Sequence, residues 1–391
     1  MLTRSFYSLA VICFIAMVVA PLLSGKTEGE TYKFDVSPNQ TVKLDLKSGG
    51  SASIVGWDKS EAEVSYVQGG TGPEHRVEVT KEGSDLVITA EARPHEGSAA
   101  SLDFEIRVPH RFNVIFESAG GDLKIEGLEG EFEGRTMGGN LSLIDSQGTV
   151  RIKTMGGDVE VTGGVLDGKV TTMGGEVLVK DVVGDLNAGS MGGDIRYENV
   201  RGHDGKLRAP GSTSETDVKQ KTVSISTMGG DLVLDEAPEG ALLSTMGGDI
   251  VVKDAHDFVS ASTMGGSIDI HATDAWVQAS TMAGDIDVEI DGGLGDGKEG
   301  VELSSCVGDV TLVVPSDLSM NLDLTIAYTR NSGQDFKIIS DFDVQIERSN
   351  EWDYSNGTPR KRIEGTGKVA GGKYPIVIKT INGDIRVLKA K

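Results

Sequence analysis

Aromatic residues, basic charge and cysteine are all scarce in this sequence, and each shortage removes a class of protein. Phe, Trp and Tyr make up only 5% of 391 residues. An enzyme core of that breadth needs large aromatic side chains, whereas a narrow repeat core fills with small β-branched ones. Lys and Arg number 37 against 60 Asp and Glu, a formal net charge of −23. Such a surface repels phosphate backbones and anionic headgroups, so no nucleic acid is expected as a partner. An anionic envelope polymer would have to meet local basic spots or bridging cations. Cysteine is limited to Cys13 and Cys306. Cys13 falls in a leader-like segment, so Cys306 is left alone and no intramolecular disulfide supports the fold. Cys306 is expected to be buried and inert.

The N-terminus has the pattern of an export signal. Arg4 is the one charged residue before position 26, and Leu9 to Val19 is apolar. Ala20-Pro21-Leu22-Leu23-Ser24-Gly25 follows, with Pro21 interrupting a clean small-residue cleavage site. Residues 1–25 are therefore expected to be a signal peptide or an uncleaved N-terminal membrane anchor. Either places the remainder outside the cytoplasm, in the periplasm, on the cell surface or secreted. Bulky Val11 and Ile12 ahead of Cys13 argue against a lipoprotein signal.

Glycine is abundant, at 53 residues, and much of it belongs to a repeat. Thr/Ser-Met-Gly-Gly recurs at a fixed 18-residue period, with Met137, Met155, Met173 and Met191, and again with Met228, Met246 and Met264. Met282 continues the series in the variant Thr281-Met282-Ala283-Gly284. Ser118-Ala119-Gly120-Gly121 stands one period before it, and Ser305-Cys306-Val307-Gly308 follows after an insertion around Asp291 to Gly297. The interval from Met191 to Met228 is one residue longer than two periods and holds a degenerate turn around Arg208 to Gly211.

Within each period apolar residues alternate, which is strand periodicity. Four and six residues after Met stand pairs such as Leu141 and Leu143, Val159 and Val161, and Ile250 and Val252. Five and three before it stand pairs such as Val150 and Ile152, and Val277 and Ala279. Each turn thus carries two short strands with one inward face each. One turn cannot bury that face alone, but stacked turns can. The expected fold is all-β: a parallel β-solenoid of 18-residue, two-strand turns. About eleven turns would make a rod roughly 50 Å long. Gly-Gly is expected at the corner because it permits positive φ. The preceding Thr or Ser and the following Asp are expected to cap corner amides. The Met column is expected to pack along one edge.

Blander readings prevail over most candidate chemistry. Calcium-binding toxin repeats also make 18-residue turns, yet here Gly-Gly-Asp marks one corner only, and Asn140, Glu176 and Ser267 interrupt the acids. Gly163 to Val170 imitates a phosphate loop but offers Val170 where Ser or Thr must hold Mg²⁺. Gly365-Thr366-Gly367 lacks the strand-turn-helix setting of a nucleotide site. The six histidines show no metal-ligand spacing. Ice binding would need a flat Thr ladder, and the outward position two before Met reads Arg135, Lys153, Thr171, Gly189 and then Ser226 to Ser304. No catalytic, cofactor-binding or metal-binding residue is expected, and no cofactor. The alternatives are a carbohydrate-active β-helix enzyme, which would need bulky loops and aromatic sugar platforms, and a Ca²⁺-dependent surface module.

The chain resembles the bacterial putative-adhesin family of β-strand-repeat envelope proteins. Ser48-Gly49-Gly50-Ser51-Ala52-Ser53-Ile54-Val55-Gly56-Trp57-Asp58 is similar to that family's opening turn. Leu102 to Pro109 with Phe112 to Gly121 is similar to its entry, and Ile378 to Val387 to its closing strand. The resemblance implies an acidic, glycine-rich, non-catalytic scaffold or adhesin-like binding protein at the cell envelope, with an envelope polymer or protein as partner. The expected organisation is a leader over 1–25, an N-terminal β cap over 26–115, regular repeats over 116–314 and a C-terminal capping region over 315–391.

Overall fold

A computed structural model describes residues 30–69, 75–92, 101–200, 223–237, 240–294, 300–332, 335–354 and 358–390. Among them every regular element is a strand and none is a helix. The strands join into one nearly closed, barrel-like sheet in which parallel neighbours predominate. The leader and the degenerate turn around Arg208 to Gly211 lie outside the described residues. No helix of the described residues is long and apolar enough to cross a membrane.

Strand pairing follows the period of the sequence. Phe132 pairs with Val114 and Val150, Val159 with Val177, and Val259 with Val277, each one period away in parallel register. Strands that precede each Met pair with one another, and so do those that follow it. The step lengthens where Gly189 meets Ser226, and again where Val277 meets Val301, because the sequence carries extra residues in both intervals. Alternation decides what is buried: Asp274–Thr281 exposes and buries successive residues, with Ala275, Val277 and Ala279 inside. Each buried Val, Ile or Leu contributes about 1.5–3 kcal/mol, which is how a column of small residues holds a narrow core together. The turns that lie between a post-Met strand and the next pre-Met strand are also apolar, through Leu128, Val182, Val200, Ala237 and Ala255. There Leu141–Thr154 and Val159–Thr171 run round as single long strands instead of breaking into two.

The ends use a different construction. Gln40–Leu46 lies between Asp85–Ala92 and Phe112–Ser118, and Ser51–Trp57 lies between Ser101–Pro109 and Leu123–Glu126. At the other end Tyr374–Ile381 lies between Val301–Ser305 and Met320–Thr329. Ile385–Lys389 likewise lies between Val310–Val314 and Ile338–Ser340. Each terminal strand pair is therefore the last rung but one, covered by a segment that overshoots it. Antiparallel strands then finish each end: Thr31–Asp35 on Glu61–Gly69, and Arg360–Val369 on Met320–Thr329.

Candidate functional site

The repeated corner is built from backbone contact, not from left-handed backbone. None of the Met-Gly-Gly glycines from Gly138 to Gly266 has φ in the left-handed region, so the expectation of positive φ is corrected. The second glycine is needed because stacked corners touch. A Cβ on Gly248 would stand 2.0 Å from the Gly230 carbonyl oxygen, and one on Gly266 1.9 Å from that of Gly248. The first glycine has room, since a Cβ on Gly247 would meet nothing nearer than 3.5 Å. Ala283 and Val307 occupy that first position, whereas Gly284 and Gly308 keep the second.

Side chains stitch successive corners together. The buried Thr263 hydroxyl donates to the Gly248 carbonyl of the preceding rung at 3.0 Å and accepts from its own Gly266 N–H at 3.2 Å. Thr154, Thr172, Ser190, Thr227 and Thr245 repeat both bonds. Thr136 does not, and its buried hydroxyl has no partner among the described residues; the glycine one rung below it, Gly121, has φ 100°, unlike the later corners. The acid column caps across rungs instead of within its own turn. The Asp249 carboxylate accepts from the Ser267 N–H at 2.7 Å, and Asp231 from the Asp249 N–H at 2.7 Å. Asn140 does the same for Asp158 at 2.9 Å, which is why the column tolerates an amide. Among the described residues no three His, Cys, Asp or Glu side chains converge as a metal-ligand group.

A few carboxyls and imidazoles feel this crowding. Partial burial, then the neighbouring Asp287 and Glu289, hold the Asp269 carboxyl above its ordinary range. His271 is raised mainly by donating to the Lys253 carbonyl at 2.8 Å, and further by the Asp291 carboxylate at 2.9 Å. Tyr197, wholly buried, has its phenol pushed up by desolvation while it donates to Leu186 O at 3.1 Å. His75 and His110 make local bonds, to Ser48 and to the Gly127 carbonyl. Cys306 is exposed, contrary to the expectation of burial, because it occupies the Met position of its corner. The phosphate-loop imitation falls within the strand Val159–Thr171, and Gly365 to Gly367 within Arg360–Val369.

The outer face of the strands that precede Met carries Arg135, Arg151, Lys153 and Lys169, with Glu117 and Glu133 lining the same groove. Register places Arg135 beside Lys153 and Arg151 beside Lys169, with neighbouring rungs ~4.8 Å apart. Glu117 pairs with Arg135, and Asp85 lies 2.6 Å from Lys43 at the rim. Arg151, Lys153 and Lys169 are exposed and form no ion pair among the described residues, although Glu133 is the register neighbour of Arg151. They line a shallow groove whose floor is kept low by Thr171, Asn187, Gly189 and Ser226. From it a track of small hydroxyls runs on through Ser244, Ser262 and Ser280, in register at each rung. Beside the track Trp276 stacks on Phe258 with ring centroids 5.1 Å apart. The repeats therefore carry one stacked aromatic pair, its Phe258 ring buried and Trp276 half-buried. Column-by-column reading of the sequence contains the cationic cluster too, since Arg135 and Lys153, and Arg151 and Lys169, recur at one period.

No protein-family model matches the chain, and no curated protein matches it. Solved structures give distant likenesses. A putative cell adhesion protein from Clostridium sporogenes is 9% identical at a TM-score of 0.20, with 93% of this chain and 100% of that chain covered. A putative adhesin from Bacteroides fragilis is 13% identical at 0.30, with 67% and 97% covered. A putative lipid binding protein from Parabacteroides distasonis is 12% identical at 0.27, with 71% and 93% covered. At these scores they decide nothing about this chain.

Proposed function

We propose that the chain is a non-catalytic, extracytoplasmic β-solenoid scaffold that binds an anionic polymer of the cell envelope along its outer face. The observation that carries this reading is the trio Arg151, Lys153 and Lys169, which forms no ion pair among the described residues, on a chain of net charge −23. Exposed cations on an acidic protein normally find carboxylates, and these three stand at the head of a low hydroxyl track instead. A linear polymer with spaced carboxylate, sulfate or phosphate groups matches both features. The cations take its charges, and the hydroxyls and Trp276 take its neutral stretches. Residues 1–25 would export the chain or tether it to the membrane.

Affinity electrophoresis in gels containing polygalacturonate tests the proposal. The protein should be retarded, less so as salt rises. The triple change Arg151→Glu, Lys153→Glu, Lys169→Glu should abolish retardation without altering the circular dichroism. Equal mobility with and without this polymer and a phosphate-containing one would refute the reading. Release of reducing sugar from either would replace it with the carbohydrate-active one.

A further inference from the structure

The methionine column from Met137 to Met282 is not part of the core. Met155 and Met264 are 44% exposed and Met137 60%. Nor does the corner require methionine, because Ala119, Cys306 and Ile381 fill the same position in neighbouring rungs. Some outward columns vary freely from rung to rung. The position five after Met holds Ser142, Glu160, Leu178, Arg196, Val233 and Asp269. The acid column persists because it caps the next rung, and the serine column keeps the track low; methionine persists at an exposed site where neither packing nor capping asks for it.

We propose that this column is a binding ladder for a soft monovalent cation, Cu(I) or its surrogate Ag(I). Thioether sulfur is a soft, neutral donor that selects such ions over Zn²⁺, Ca²⁺ or Mg²⁺. The spacing suits it. Metal–sulfur bonds of about 2.3 Å put two sulfurs on one ion within about 4.6 Å of each other, against ~4.8 Å between rungs. The unbranched side chain adjusts the remainder. The backbone beneath is held in register, with Met155 N–H donating to the Thr136 carbonyl at 3.2 Å and Met137 N–H to that of Ser118 at 3.1 Å. The column ends on the exposed thiol of Cys306, whose N–H is tied to Thr281 O at 3.1 Å. The acid column three residues on supplies a negative field that favours a cation, while its carboxylates already accept backbone N–H groups. The inference does not depend on polymer binding.

The test is anaerobic titration of the purified protein with Cu(I), in competition with a chromophoric Cu(I) chelator. Methyl resonances of ¹³C-methyl methionine are followed in parallel. More than one Cu(I) should be retained per chain. Column methyl resonances should shift, and that of Met320, buried in the strand Met320–Thr329, should not. Met246→Leu with Met264→Leu keeps size and apolarity but removes two sulfurs. It should lower the retained number and weaken local affinity roughly tenfold or more, with unchanged circular dichroism. Cys306→Ser should leave most of the binding intact. Failure to retain Cu(I), retention indifferent to the leucine changes, or complete loss with Cys306→Ser would each overturn the proposal. The last of these would assign the ion to a lone thiol.

Discussion

The middle of the molecule and its ends solve the same problem by different means. Between Phe132 and Val288 the backbone neighbour is mostly the residue one period away, and the corners from Thr154 to Thr263 repeat the same pair of bonds. At the ends the neighbour is far off: Val42 pairs with Val114, and Val301 with Ile376. The middle is modular because each rung rests only on the next. The ends cannot be, since an unprotected last rung would offer a free strand edge to any other chain. Overshooting and then slotting the terminal strands inside the stack closes that edge with the chain's own residues.

The most severe way to test this difference removes equal lengths from the two regions. Deleting the segment 374–391 strips out Ile376, Ile378, Ile385 and Val387, all fully buried. It also opens the faces of Val301–Ser305 and Met320–Thr329. The expected loss is about 6 kcal/mol or more, seen as a collapse of the thermal transition and aggregation. Excising the equally long segment 245–262 instead joins Ser244 to Thr263 in the same register. That protein should still fold cooperatively with a modestly lower Tm. Comparable damage from both deletions would show that the middle is not modular.

Smaller changes sharpen the account of the corner. Thr263→Val leaves a buried carbonyl at Gly248 and an N–H at Gly266 without their partner, at a cost of about 1–3 kcal/mol. Asp249→Asn should be nearly neutral in denaturant titration, because an amide oxygen caps the next rung as Asn140 does. A loss similar to that of Asp249→Ala would mean that the charge, not the cap, matters. Asp269→Asn should raise Tm slightly at neutral pH. A carboxyl whose pKa is raised by folding holds its proton more tightly in the folded state. The ionised form is therefore disfavoured above that pKa, and stability is regained as pH falls through it. The amide removes this pH dependence.

The same contrast decides what could be read from the sequence. Pairs such as Val159 and Val161, or Ile268 and Ile270, are legible as inward because the period repeats them, and all are buried. The slotting of Tyr374–Ile381 inside the stack is not legible, since pairing with a strand so much earlier in the chain leaves no period. The exposure of Met246 and Cys306 escapes for another reason. At a corner the strand alternation lapses, so parity no longer says which way a side chain points. The role of Gly248 is hidden because its constraint comes from the carbonyl of the rung below, which local backbone preference does not reveal. The cationic trio is visible once rungs are aligned, but that it forms no ion pair among the described residues is a fact of three dimensions.

The central claim is that the corners are in backbone contact from rung to rung, and paired glycine substitutions test it most directly. Gly247→Ala and Gly248→Ala differ by one position and make the same chemical change. Thermal and denaturant unfolding should find Gly247→Ala neutral or slightly stabilising, since no left-handed φ is lost and space is available. Gly248→Ala should cost about 3 kcal/mol or more, because its Cβ would overlap the Gly230 backbone. Equal losses at the two positions, or a greater loss at Gly247, would contradict the stacking of corners on which the fold and the methionine column depend.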